Sequence, residues 1–76
     1  MLRFYTTEGC HLCEMAWALV APIAEQLGHE IISIDLMDDA RAEVLYATAI
    51  PVLAREDCNQ ILQWPFTADE IKEYLR

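Results

Sequence analysis

Positive charge is scarce in this sequence. Five lysines and arginines face thirteen aspartates and glutamates, for a formal charge of −8. Such a surface is repelled by phosphate backbones and anionic lipid, which argues against nucleic acid and membrane surfaces as partners. Long apolar runs are missing too. The longest stretch, Ala16 to Ala24, is too short to span a bilayer and contains Pro22. The start of the chain lacks the apolar run of a secretory signal, so a cytoplasmic protein is expected. Glycine occurs twice and proline three times in 76 residues, and no repeat, linker or low-complexity segment appears. The three cysteines are too few, and odd in number, for a disulfide framework.

What is present is the composition of one small globular domain covering residues 1–76. The hydrophobic fraction is 55% and the charged fraction 24%. A chain of this size buries only about 60% of its unfolded surface, so its core has to be regular.

The pattern of side chains predicts seven elements. Residues 2–7 are β-branched and aromatic and read as a strand, broken by Glu8 and Gly9. Leu12, Met15, Ala16, Leu19, Ile23 and Leu27 recur at helical spacing, with Gly28 as the C-terminal cap. Pro22 inside this helix removes a donor and is expected to bend it. The alanines at 16, 18, 21 and 24 are expected to form the exposed face. Residues 30–36 read as a second strand with Ile32, Ile34 and Leu36 on one face. Asp38 or Asp39 caps a short helix to about Ala47. Pro51 keeps Ile50 out of helical geometry. Val52–Arg55 and Gln60–Trp64 read as a hairpin turning at Glu56-Asp57-Cys58-Asn59. Thr67 and Glu70 form a capping box before the last helix, with Phe66 and Ile71 as its hydrophobic staple. The order β-α-β-α-β-β-α implies an α/β (α+β) protein. Its first β-α-β unit is parallel and right-handed, the later pair antiparallel, and the sheet mixed and four-stranded.

Chemistry concentrates at Cys10 and Cys13. The pair is a C-x-x-C placed where the first strand gives way to the first helix. Unpaired N–H groups and the helix dipole there favour a negative sulfur on Cys10. The dipole contributes about 0.3–1 kcal/mol, less than one pKa unit, and Glu8 and Glu14 oppose it. A modest gain in thiol acidity is expected, with His11 assisting when protonated. Cys13, one turn later, is placed to attack a mixed disulfide formed by Cys10. A zinc site would have to draw on His11, His29 and Cys58, with no second paired motif. Attachment of c-type haem fails because residue 14 is Glu and not His. Trp17 reads mainly as a core aromatic, and Trp64-Pro65-Phe66 equally as core or as the floor of a substrate groove. Cys58 reads as a passive surface thiol.

These residues resemble a known family. The segment Phe4-Tyr5-Thr6-Thr7-Glu8-Gly9-Cys10-His11-Leu12-Cys13, with Ile50-Pro51 before the third strand, resembles the glutaredoxin-like proteins of the thioredoxin superfold, and in particular a small bacterial group. The resemblance covers essentially the whole chain. It implies a thioredoxin-like fold with sheet order 2-1-3-4 and the third strand antiparallel to the first. It implies a thiol–disulfide oxidoreductase in which Cys10 attacks and Cys13 resolves. Pro51 would be the cis-proline facing the pair, and the backbone beside it, with Ile50 and His11, would meet an extended substrate. Glutaredoxins that use glutathione differ at several of these positions. They carry a Pro and an aromatic between the cysteines and a basic residue before them, and a glycine pair where Trp64-Pro65-Phe66 stands. Thr67 and Asp69 remain as the residues able to meet a γ-glutamyl group. No resident cofactor or metal is implied. Glutathione or a thioredoxin-type reductase is the candidate electron donor, a disulfide in a protein or small molecule the candidate substrate, and a monomer the expected state. Two other readings remain: a non-catalytic thioredoxin-fold module that binds a peptide or protein, and an iron–sulfur or zinc carrier bridged through Cys10.

Overall fold

The computed structural model describes residues 1–58 and 60–76. Its elements follow the predicted order: β1 (Leu2–Thr6), α1 (His11–Gln26), β2 (Ile31–Asp35), α2 (Ala40–Tyr46), β3 (Val52–Arg55), β4 (Ile61–Gln63) and α3 (Ala68–Tyr74). A 3-10 turn at Leu36–Asp38 joins β2 to α2. The four strands form one sheet in the order β2-β1-β3-β4. β1 runs parallel to β2, with Phe4 opposite Ser33. It runs antiparallel to β3, with Phe4 opposite Leu53. β3 and β4 are antiparallel. The expected turn between them ends at Asn59, which lies outside the described residues.

Alternation along β1 divides the interior. Leu2 and Phe4 point to one face, where they join Cys13, Ala16 and Val20 of α1 and Ile71 of α3. Tyr5 points to the other face, where it meets Leu36, Ala42 of α2, Val52 and Ala54. The sheet is thus covered by α1 and α3 on one side and by α2 on the other, which lets a short chain bury both faces.

The packed face of α1 departs from expectation. Ala16 and Ala24 are completely buried, whereas Leu12 and Met15 are each 48% exposed. The buried stripe runs through Cys13, Ala16, Val20, Ile23 and Ala24. Small side chains at 13, 16 and 24 allow close helix-to-sheet approach, so the larger residues are rotated outward. Pro22 lies inside α1, as the sequence predicts. The end of the helix is as predicted. Gly28 has φ +77°, its N–H donates to Glu25 O, and the His29 N–H donates to Ala24 O at 2.9 Å. This double bond pattern is the Schellman motif.

α3 is tied at both ends. The Thr67 hydroxyl accepts from the Glu70 N–H at 3.2 Å, and the Glu70 carboxylate accepts from the Thr67 N–H at 3.0 Å. Phe66 and Ile71 are buried in the same cluster, as a staple requires. At the C-terminal end Arg55 donates to the carbonyls of Tyr74 (2.7 Å) and Arg76 (3.0 Å). It also makes a two-pronged contact to Asp57 at 2.9 and 3.0 Å. A cation on the last carbonyls of a helix satisfies acceptors that the helix leaves open.

Candidate active site

Glu8 and Gly9 turn the chain out of β1, and Gly9 takes φ +77°, a conformation that an L side chain rarely adopts. Cys10 follows in extended geometry as the N-cap of α1. Its Sγ accepts a hydrogen bond from the Cys13 N–H at 3.2 Å. The sulfur therefore takes the place that a Ser or Asp oxygen fills in most helix caps. The same N–H groups are the ones expected to stabilise a thiolate there.

Cys10 and Cys13 are joined by a disulfide, with Cα atoms 5.2 Å apart. The two cysteines differ in access. Cys13 is 3% exposed and sits among core side chains. Cys10 is half-buried at the surface of that core.

A groove of about 490 Å³ opens beside the pair, and both cysteines line it. Glu8, Glu14, Trp17 and Ser33 supply other parts of its wall. Neither lysine nor arginine is among the lining residues. Trp17 does two jobs, since its ring packs edge-on against Phe4 at 5.3 Å while lining the groove. Ser33 arrives through the parallel β1–β2 pairing, which sets it opposite Phe4. A lone polar residue in the run Ile31-Ile32-Ser33-Ile34 was its only signal in the sequence.

The other predicted residues, His11, Ile50, Pro51, Thr67 and Asp69, are not among those that line the groove. His11 is exposed, with its Nδ1 3.7 Å from the Glu14 carboxylate. Ile50 packs against the cluster that contains Cys13. Pro51 is fully buried, and the Ile50–Pro51 peptide is cis. Trp64–Pro65 is a second cis peptide, which nothing in the sequence reading anticipated. Trp64 packs edge-on against Phe66 at 5.2 Å and against the same core as Cys10. Thr67 and Asp69 are exposed. The Thr67 hydroxyl is already engaged by the cap of α3. Among the described residues, no group of three or more His, Cys, Asp or Glu is placed to hold a metal ion. Among the same described residues, no helix is long and apolar enough to cross a membrane.

The family model for the Glutaredoxin-like domain (DUF836) matches residues 1–76. The chain belongs to this glutaredoxin-like family. Solved structures agree with that placement. A structural-genomics target protein from X. campestris, XcR50, is 31% identical, with a TM-score of 0.81 over 99% of this chain and 95% of its own. Protein Ne2328 from Nitrosomonas europaea is 29% identical, with a TM-score of 0.80 over 99% of this chain and 89% of its own. Thioredoxin 1 from Thermosipho africanus is 13% identical, with a TM-score of 0.71 over 95% of this chain and 85% of its own. That likeness establishes the thioredoxin-like fold. No curated protein matches the chain. The glutaredoxin-like fold and its Cys10–Cys13 pair together support a function of the thiol-redox kind.

Proposed function

We propose that the protein is a dithiol–disulfide oxidoreductase in which Cys10 is the attacking and Cys13 the resolving cysteine. The observation that carries this reading is the asymmetry of the pair: a reachable sulfur at the N-cap of α1, bonded to a sulfur that is 3% exposed. In the reduced protein the Cys10 thiolate attacks one sulfur of a substrate disulfide. A Cys10–substrate disulfide forms, and the departing thiolate takes a proton from solvent. Cys13 then gives up its proton and attacks Cys10 Sγ. The second substrate thiol leaves, and the Cys10–Cys13 disulfide remains. Two electrons have passed from the protein dithiol to the substrate. Two glutathione thiols, or a thioredoxin-type reductase, return them.

Within this reading the substrate is a disulfide in a protein or small molecule. Its extended chain lies beside Ile50 and Pro51, near His11. Thr67 and Asp69 would take part only if the substrate reached the start of α3. The acidic groove supports a protein or neutral disulfide over an anionic one. The protein acts as a monomeric domain in the cytoplasm, with no resident cofactor. Its charge of −8 supports partners other than nucleic acid or anionic membrane.

Cys10→Ser and Cys13→Ser variants test the proposal in an assay of disulfide reduction driven by dithiothreitol. Cys10→Ser is expected to abolish turnover. Cys13→Ser, reduced beforehand and freed of dithiothreitol before substrate is added, is expected to accumulate a Cys10–substrate adduct visible by mass spectrometry. A wild-type protein that binds a peptide but turns over no disulfide would instead establish the binding-module reading.

A further inference from the structure

A second cleft, of about 440 Å³, lies on the α2 side of the sheet. Its lining shares no residue with the groove at Cys10. Three of the protein's five cations, Arg3, Arg41 and Arg55, line it. Arg55 has its guanidinium engaged by Asp57 and by the end of α3. Arg3 and Arg41 form no ion pair among the described residues, in a chain with thirteen acids. The Arg3 Nε–H is shut off from solvent and has no hydrogen-bond partner there either. Unmet buried donors are rare and costly in native proteins.

Two tyrosines add to this surplus of donors. Tyr5 is only 6% exposed, yet it is among the residues that line the cleft, and its hydroxyl makes no hydrogen bond among the described residues. Burial raises its pKa, and the neighbouring Arg3 only partly offsets that, so the hydroxyl stays protonated near neutral pH. Tyr46 packs against Tyr5 with ring centroids 5.0 Å apart and ring planes tilted by 39°, and its hydroxyl is likewise without a partner among the described residues. One carboxylate faces the same space. Asp39 lines the cleft while its Oδ1 accepts from the Ala42 N–H at 3.0 Å. With Arg3 and Arg41 free, the local balance stays positive. Leu45 and Ile61 supply apolar wall.

We propose that this cleft binds a small molecule through an oxyanion, a phosphate or a carboxylate, held between Arg3 and Arg41. The Tyr5 and Tyr46 hydroxyls donate to the same group. Guanidinium donors suit such planar or tetrahedral oxygen sets. The apolar wall at Leu45 and Ile61 receives the body of the ligand, and Asp39 is left to accept from a ligand hydroxyl or amine. The volume lies within the range of small-molecule pockets. The site lies on the face of the sheet opposite Cys13, so occupancy does not require the dithiol to be free.

The test is an amide and arginine Nε–H NMR titration of the full chain. Sodium phosphate and sodium acetate are the two probes, with sodium chloride at matched ionic strength as the reference. The proposal predicts saturable shifts at Arg3 Nε–H, Tyr5, Ala42 and Ala54 with at least one probe, and none at Cys10–Trp17. The probe that saturates at the lower concentration identifies phosphate or carboxylate as the preferred group. Arg41→Gln changes an exposed helix position and is expected to weaken that binding about tenfold. Tyr5→Phe removes only the hydroxyl and is expected to weaken it about threefold. Shifts no larger than those in chloride, or saturation unchanged in both folded variants, would overturn the proposal.

Discussion

Removing the hydroxyl of Tyr74 tests how α3 is held to the sheet. That oxygen donates to Gln60 O at 2.6 Å and accepts from the Arg55 N–H at 3.1 Å. Arg55 lies one residue beyond Ala54–Ile61, the last paired position of β3 and β4. The tyrosine thus completes a ladder that the short β4 leaves unfinished. In Tyr74→Phe both bonds vanish and a partly buried N–H is stranded. At about 1 kcal/mol for each bond, the loss is about 2 kcal/mol. For a domain of this size that lowers Tm by about 8–16 °C. Thermal unfolding followed by circular dichroism reads the change. Tyr46→Phe is the internal control, because its hydroxyl has no partner among the described residues. It should alter stability by less than about 0.5 kcal/mol. Equal Tm values for wild type and Tyr74→Phe would refute the assignment of the link. The pH dependence gives a second readout. Burial, the largest influence, raises the Tyr74 pKa above its usual 10.0. The folded state therefore favours the protonated phenol. That contribution is complete below pH 10 and is lost as the pH rises through the folded-state value. The stability gap between wild type and Tyr74→Phe should narrow in that alkaline window.

Three further outcomes are expected. Thr67→Ala removes one side of the capping box on α3 and should cost about 1 kcal/mol in urea unfolding, with little change in the rate of disulfide reduction. The Asp57 pKa is lowered, chiefly by its side-chain hydrogen bonds from Arg55 and further by that charge. Its contribution is therefore present above the ordinary carboxylate range and is lost as the pH falls through the lowered value. Asp57→Asn should remove that part of the acid limb, as read from stability measured against pH. Glu8 and Glu14 line the groove beside Cys10. If their charges act on incoming substrates, the double Gln variant should gain about twofold in rate toward a dicarboxylate disulfide, with the gain shrinking as salt is added. A neutral disulfide should show no such salt-dependent gain.

Much of the fold could be read from local signals. The Thr67/Glu70 box, Gly28 and the Asp39 cap are short patterns whose physics is complete within a few residues, and each end formed where expected. The buried face of α1 was harder. Leu12, Met15 and Leu27 lie on a plausible apolar stripe, but close packing on the sheet favours the small residues Cys13, Ala16 and Ala24. Hydrophobicity marks both stripes, and only the distance between helix and sheet chooses. Cys10 and Cys13 were legible because their place at a strand-to-helix junction needs no tertiary information. Ser33 was not, since it reaches the groove through pairing of β1 with β2. Arg3, Tyr5 and Arg41 were equally hidden. Strand alternation and the return of α2 bring them to one cleft from positions 38 residues apart at the extremes. The tie from Tyr74 to Arg55 and Gln60 also depends on where α3 ends against the hairpin.

The most direct measurement is a redox titration of the Cys10/Cys13 pair across a series of glutathione buffers, with thiols trapped by alkylation and mapped by mass spectrometry. A single two-electron transition between a dithiol and a Cys10–Cys13 disulfide is expected. In the reduced form, Cys10 should be alkylated well before the buried Cys13. Failure of the intrachain disulfide to form at any poise, or equal labelling of the two folded-state thiols, would contradict the proposed dithiol mechanism.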